Sequence, residues 1–234
     1  MLFDIVIPVG PNDKDIITKQ INYTKNIKAR NIYLIVNGCL DIEGCISIQE
    51  NIFPFSLETV SRFHGKLERN GWYLQQLLKL YAGMVIPGIL ERYLVIDADT
   101  FFLKSINFIE DDKCLYSWGT EYHKPYFLHI SKLYPELTKI KNISGICHHM
   151  MFETKYIKEL FNIIENKHND AFYNVFLKNV IDYEGSGASE YELYFNYMLF
   201  KHPDDIILRP LNWINTDKMI YDGYDYISYH WHMR

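Results

Sequence analysis

One stretch of eight residues, from Tyr93 to Thr100, constrains the fold more than any other part of the chain. Four apolar, mostly strand-favouring residues run directly into Asp97-Ala98-Asp99, which predicts a buried strand that ends in two carboxylates. Open α/β sheets bind ligands at the carboxyl ends of their strands. Two aspartates there repel each other unless a cation lies nearby, and their oxygen atoms suit Mg²⁺ or Mn²⁺. A solvated turn after a strand is the alternative interpretation of this motif.

The elements that precede this strand indicate a doubly wound α/β fold in a single domain. A strand over 3–8, a helix over 13–28 and a strand over 31–36 form a β-α-β unit, which is the beginning of a parallel sheet. The 234 residues fit one large domain. Further predictions are a third strand over 57–60, a proline-broken irregular segment over 121–143, helices over 156–167 and 169–180, and a late strand over 205–210.

A helix is predicted over residues 69–82, immediately before the Asp-x-Asp strand. Its apolar face is formed by Leu74, Leu77, Leu78 and Tyr81. Gln75 and Lys79 are four residues apart on another face, so their side chains project together. Because this helix leads into the carboxylate-bearing strand, its polar side is expected near the two aspartates. A solvated lysine on an amphipathic helix is the alternative for Lys79.

The Asp-x-Asp strand and this helix resemble GT-A type glycosyltransferases, which use nucleotide-sugar donors. The string over residues 72–80, Trp-Tyr-x-Gln-Gln-x-x-Lys-Leu, is similar to one in a poorly characterised bacterial and viral subgroup. The resemblance implies that Asp99 holds a metal directly, whereas Asp97 reaches the donor ribose, or the metal through water. It also implies a mixed sheet flanked by helices.

Further donor contacts are expected from two places in the chain. The resemblance implies that the loop after the first strand, which contains Pro8, Val9 and Gly10, embraces the nucleotide base. Gln75 and Lys79 are interpreted as donor contacts, with Lys79 on the diphosphate. On this interpretation residues 1–100 form a nucleotide-binding half, and residues 101–234 form an acceptor-binding half with a C-terminal tail.

Two adjacent histidines, His148 and His149, interrupt an apolar run over residues 144–152. Adjacent strand residues point to opposite faces, so only one of the two is expected to face the cleft. Whichever of the two faces the cleft is expected to contact the acceptor or the leaving phosphate, and we choose His149 as the candidate. A core histidine satisfied by the backbone is the alternative.

The stretch Gly185 to Tyr194 contains a helix start. Ser189 followed by Glu192 has the spacing of a capping box, so a helix is predicted from Glu190. The box occupies Glu192 and leaves Glu190 at the helix tip, where the positive end of the dipole favours the ionised carboxylate. The resemblance implies that such a residue acts as general base in an inverting transfer. Two glutamates that merely favour the helix start are the alternative.

The C-terminal residues 229–234 are rich in histidine and aromatic side chains. Some GT-A type enzymes take a third metal ligand, a histidine, from this region. His230 and His232 share a face if the segment is extended, and we predict His230 as the ligand. A frayed tail without a role is the alternative.

Charge and composition exclude several classes of protein. A net charge of −5 and a pI near 6.0 argue against a nucleic-acid partner. The first residues lack the basic region and the apolar stretch that are typical of a signal peptide, and no apolar run is long enough to span a bilayer, so neither segment is expected. Four scattered cysteines without a Cys-x-x-Cys pair argue against a zinc site and favour reduced thiols in the cytoplasm.

These observations predict an enzyme that moves a sugar from a nucleotide-sugar, UDP-linked in our interpretation, to a hydroxyl of a glycan or related acceptor, with inversion and with Mn²⁺ or Mg²⁺. One rival is a haloacid-dehalogenase-like phosphatase, which also places Asp-x-Asp after an apolar strand. Phosphatases of that type carry Thr or Val two residues past the second aspartate, where this chain has Phe101. The other rival is a non-catalytic carbohydrate-binding protein of the same fold.

Overall fold

A five-stranded mixed sheet forms the centre of the computed structural model, which describes residues 2–219 and 222–229. The strands are β1 (Asp4–Val9), β2 (Ile32–Val36), β3 (Ile46–Gln49), β4 (Arg92–Ile96), β5 (Thr100–Phe102), β6 (Ile109–Glu110), β7 (Lys113–Tyr116), β8 (His149–Glu153), β9 (Ile206–Leu208), β10 (Trp213–Asn215) and β11 (Tyr226–Ser228). The central order is β3-β2-β1-β4-β8. The first four strands are parallel, and β8 runs antiparallel to β4.

The connections of this sheet create a crevice between β1 and β4. From β1 the chain moves outward to β2 and β3, and it then returns to place β4 on the other side of β1. Such a reversal of strand order is where open α/β sheets bind ligands, outside the carboxyl ends of the strands. The two aspartates follow β4 at this edge.

The described helices are α1 (Lys14–Thr24), α2 (Leu57–His64), α3 (Asn70–Val85), α4 (Lys124–Leu133), α5 (Thr154–His168), α6 (Phe172–Lys178) and α7 (Glu190–Lys201). Helix α3 lies in the interior of the protein. Its predicted apolar face is buried, and so are Gln76 and Lys79 on its other sides. No helix in the described part of the chain combines the length and hydropathy that a bilayer span requires.

The predicted β-α-β unit is confirmed by β1, α1 and β2, whereas three other predicted segments differ. Residues 57–60 are helical, because Ser56 and Thr59 form a capping box that starts α2. The segment 121–143 contains α4, and Pro125 is tolerated there because it lies in the first helical turn. The helix predicted over 169–180 begins only at Phe172, because Asn169 adopts a left-handed conformation with φ of 51° and ends α5.

Two three-stranded sheets extend the domain beyond the central sheet. Their orders are β10-β11-β5 and β6-β7-β9. Strand β5 begins at Thr100, immediately after Asp99, so the Asp-x-Asp turn connects the central sheet directly to the sheet β10-β11-β5. The four cysteines are free thiols.

Candidate active site

The candidate site lies where the ends of β1, β4 and β8 meet. Asp97 is the first residue after β4, and His148 immediately precedes the antiparallel strand β8. The Asp97 amide donates to the His148 carbonyl at 2.9 Å, and the Thr100 amide donates to the Asp97 carbonyl at 3.0 Å. These backbone bonds fix the turn that carries Asp97 and Asp99.

The structure assigns the cleft-facing position to His148, and this corrects the predicted choice of His149. His148 has φ of 59°, an unusual value for a residue with a β-carbon, and its Nδ1 lies 3.2 Å from Asp97 Oδ2. His149 points to the opposite side of β8, where its Nε2 lies 3.0 Å from Ser117 Oγ. Burial there lowers the pKa of His149 to about 3. Sequence alone cannot determine this parity, because a one-residue shift exchanges the two faces.

Lys79 is buried between two carboxylates. Its Nζ lies 2.6 Å from Asp97 Oδ1 and 2.6 Å from Glu190 Oε1, and the residue is 6% exposed. This position contradicts the alternative of a solvated surface lysine. Burial alone would lower the pKa of Lys79, but the charges of Asp97 and Glu190 raise it above its ordinary value. The ammonium is therefore held in its charged form.

Asp97 accepts hydrogen bonds from three different side chains. Besides Lys79 and His148, the Tyr191 hydroxyl donates to Oδ1 at 2.8 Å. Burial alone would raise the pKa of the Asp97 carboxyl, but Lys79 and His148 outweigh it and lower the pKa well below its usual range. No sequence pattern pointed to Tyr191, because its role depends on the first turn of α7 lying against the end of β4.

Glu190 is the first residue of α7 and is 3% exposed. Its backbone amide donates to Gln76 Oε1 at 3.1 Å, and Lys79 holds its carboxylate. Burial raises the pKa of Glu190, although the Lys79 charge opposes that shift. Gln76 and Lys79 lie on one side of α3 because they are three residues apart, so one helix fixes both the backbone and the side chain of Glu190.

Only half of the predicted capping box at the start of α7 forms. Ser189 Oγ accepts from the Glu192 amide at 3.2 Å. The Glu192 carboxylate does not return to residue 189. It accepts instead from Ser144 Oγ at 2.6 Å and from Asn196 Nδ2 at 2.8 Å. Glu192 therefore ties the segment before His148 to α7.

The segment 182–189 that leads into α7 is anchored by α3 and the residue just before it. Arg69 donates to the Gly185 carbonyl at 3.2 Å and to Ser186 Oγ at 2.7 Å. The Tyr73 hydroxyl accepts from the Gly187 amide at 3.1 Å. These contacts position Glu190, and the sequence indicated them only through the Trp-Tyr string that contains Tyr73.

The remaining predicted donor residues lie at the end of β1. Pro8 and Val9 are buried inside the strand rather than in a loop, and Gly10 is partly exposed. A β-carbon at Gly10 would lie 3.2 Å from Gln75 Nε2, so Gly10 and Gln75 are neighbours. The structure thus places Gly10 immediately after β1, at the crevice edge of the sheet, with the Gln75 side chain of α3 next to it.

The Asp-x-Asp turn has the donor type that a hard divalent cation requires, because both side chains offer carboxylate oxygens. Residues 2–219 and 222–229 contain no group of three metal-ligating side chains, and the predicted third ligand, His230, lies outside the described residues. The amide of Tyr229 donates to the Asp99 carbonyl at 2.8 Å. Asp97 already accepts from three side chains, and the assignment of Asp99 as the direct ligand rests on the resemblance stated above.

Comparison with known proteins agrees with this architecture. Residues 24–209 match a family of unknown function, DUF6492. The chain belongs to this family. Curated proteins include no match to the chain.

Solved structures with this fold include two glycosyltransferases. Mouse xyloside xylosyltransferase 1, in its apo form, superposes with a TM-score of 0.53 at 9% identity over 100% of this chain and 99% of its own. An active-site mutant of LgtC superposes with a TM-score of 0.50 at 11% identity over 97% of this chain and 87% of its own. This DUF6492 member therefore has the GT-A fold that was predicted.

Proposed function

We propose that this DUF6492 protein is a glycosyltransferase that moves a sugar from a nucleotide-sugar to a hydroxyl of a glycan or related acceptor. The observation that carries the proposal is the cluster at the end of β4, where Lys79 bridges Asp97 and Glu190. Buried charges that serve stability alone are costly, and perturbed carboxylates in a crevice are typical of catalytic sites. The GT-A fold supports this reaction class.

The donor would bind across the ends of β1 and β4. Gly10 and Gln75, together with Pro8 and Val9, would form the binding site for the nucleotide base, which we propose is uracil. Lys79 and His148 would contact the diphosphate, and His148 takes the role that the sequence had suggested for His149. Both groups lie within hydrogen-bond distance of Asp97, so the phosphates would lie beside the Asp-x-Asp turn.

Mn²⁺ or Mg²⁺ is part of the proposal, with Asp99 as direct ligand, Asp97 as an indirect one and His230 as the third candidate. When bound, such an ion neutralises charge on the leaving diphosphate. The carboxylates then have separate tasks. Asp97 orients Lys79 and His148 through the bonds described above, whereas Asp99 offers oxygen atoms to the ion.

Glu190 is proposed as the general base that accepts the proton of the acceptor hydroxyl. Lys79 holds Oε1, so the proton would move to the other carboxylate oxygen. The bond from Gln76 to the Glu190 amide and the ion pair with Lys79 fix the direction of the carboxylate. A fixed base on the acceptor side corresponds to transfer with inversion.

The remaining parts of the proposal concern context. We place residues 1–100 in the donor half and residues 101–234 in the acceptor half of one domain. Four free thiols support a reducing compartment, and on that basis we propose glycan biosynthesis in the cytoplasm.

Thermal melting tests the donor site. The wild-type protein is melted with UDP, GDP, ADP or CMP, first with Mn²⁺ and then with a chelator. Ligand binding to the folded state raises the melting midpoint, by about 2.7 kcal/mol of stability at one hundred times Kd. We expect a shift with UDP that requires Mn²⁺ and disappears in Asp99→Asn. Asp41→Asn, at an exposed position, is the matched control. If no nucleotide shifts the melting midpoint, the proposed donor site is wrong.

A further inference from the structure

Three aromatic side chains form a row across the sheet β10-β11-β5. Phe102 of β5 pairs with Tyr226 of β11, and Tyr226 pairs with Trp213 of β10. Phe102 and Tyr226 are fully buried, whereas Trp213 is partly exposed. The indole stacks on the Tyr226 ring with an interplanar angle of 9° and a centroid distance of 5.5 Å. The row therefore ends at the edge strand in a tryptophan that is held rigidly and is still accessible.

This tryptophan adjoins the candidate active site. Its ring lies 5.1 Å from the His148 ring at 81°, and His148 is bonded to Asp97. The indole also approaches Gly119, where an added β-carbon would lie 3.9 Å from Trp213 Cζ2. One side chain thus separates an accessible indole from the central carboxylate.

The strand order places Trp213 away from the residues that are proposed to bind the nucleotide base. Gly10 lies at the end of β1 with the Gln75 side chain of α3 beside it, Asp97 lies at the end of β4, and His148 lies at the start of β8. Since β4 lies between β1 and β8, Trp213, which contacts His148, lies next to the proposed diphosphate contact and on the side of β4 away from the base-binding residues at β1. A molecule bound against the indole would approach Asp97 past His148, from the side away from the nucleotide base.

We infer that Trp213 forms a saccharide-binding subsite for the acceptor, a role that rests on the proposed function. Binding sites for small molecules combine aromatic walls with a few polar groups, and a flat indole presents a large apolar surface at low conformational cost. A pyranose ring has an apolar C–H face and hydroxyls at its edge. Stacked on Trp213, the ring directs a hydroxyl toward the cluster of His148, Asp97 and Glu190.

A glycan array with immobilised mono- to tetrasaccharides tests this subsite. The probe is the whole protein, as wild type, Trp213→Leu, Trp213→Tyr and Tyr23→Leu. Tyr23 is a matched control because it is a partly exposed aromatic residue that packs on Phe101, which lies on the other face of the same sheet. The nucleotide-dependent melting shift is measured for every variant.

We expect the wild type and Trp213→Tyr to bind the same glycans, and Trp213→Leu to lose about tenfold or more in affinity. Tyr23→Leu should bind as the wild type does, and the nucleotide shift should persist in all four proteins. If Trp213→Leu misfolds, the wild-type protein supplies the second measurement, because the Trp213 indole N–H resonance must shift when the bound glycan is added.

Three results would overturn the inference. The first is that the wild-type protein binds no glycan. The second is that Trp213→Leu binds glycans as strongly as the wild type does. The third is that Trp213→Leu loses only the nucleotide-dependent melting shift, which would assign the indole to the donor site. Absence of any nucleotide shift in the wild type counts separately, against the proposed function.

Discussion

Replacing Lys79 with methionine should destabilise the protein strongly, because a buried and a partly buried carboxylate would lose their shared cation. The side chains of Lys79 and Glu190 are 7% and 4% exposed, and that of Asp97 is 24% exposed. Removing one partner of a buried ion pair costs about 3–5 kcal/mol, which is a large part of a typical stability of about 5–15 kcal/mol. In a domain of this size, that loss lowers Tm by about 6–20 °C.

Chemical denaturation and calorimetry of matched variants measure this effect. Arg62→Met is the control, since Arg62 and Glu58 form an ion pair of similar length, 2.7 Å, with side chains that are 71% and 75% exposed. Water screens that pair, so Arg62→Met should leave Tm within experimental error. The double variant Lys79→Met/Glu190→Gln should regain part of the lost stability, because one of the unpaired charges is removed. The reasoning fails if Lys79→Met is no more destabilising than Arg62→Met.

Two further predictions concern stability. The Nε2 of buried His129 lies 2.8 Å from the Phe176 carbonyl and its Nδ1 has no described partner, and burial lowers its pKa from 6.5 to about 4. Below its ordinary pKa, His129 therefore binds a proton in the unfolded chain but not in the folded chain. The free energy of unfolding should fall by about 3 kcal/mol as the pH drops from 7 to 4. The free energy of unfolding of His129→Gln should depend less steeply on pH, and an equally steep dependence would contradict this assignment. Gly145→Ala should lose about 1–3 kcal/mol, because its β-carbon would lie 2.5 Å from Phe195 Cβ. Gly71→Ala in α3 should be neutral or gain up to about 1 kcal/mol, because its β-carbon would meet no atom within 4 Å other than its chain neighbours and its own helix backbone. Equal denaturation midpoints for the two variants would refute the packing argument.

The parts of the fold that follow from local pattern were predictable. The apolar run before Asp97 is β4, and the first β-α-β unit appears where the periodicity indicated it. Residues 57–60 were not predictable as a strand or helix from four side chains, and the capping interaction of Ser56 with Thr59 decided the outcome. Pro125 suggested a break, but at the first turn of α4 a proline removes no hydrogen bond.

The candidate site depends on contacts between residues far apart in sequence, and this limits its prediction. Lys79, Asp97 and Glu190 were each singled out from the sequence, but their convergence on one ammonium depends on how α3, β4 and α7 pack. Burial of Lys79 was the opposite of what the amphipathic pattern favours for a lysine. Tyr191, adjacent to Glu190, carried no sequence signal, because helical residues one position apart face different neighbours.

Turnover of nucleotide-sugars tests the central claim most directly. The wild type, Asp99→Asn and Glu190→Gln are incubated with UDP-sugars and other nucleotide-sugars, with Mn²⁺ or with chelator, in the presence of pooled saccharide acceptors, and products are detected by mass spectrometry. We predict a glycosylated product and free nucleoside diphosphate in the wild type, both lost with chelator or in Asp99→Asn. Transfer should collapse in Glu190→Gln while donor binding survives. The account is contradicted if no nucleotide-sugar is consumed and the same protein hydrolyses simple phosphate monoesters instead.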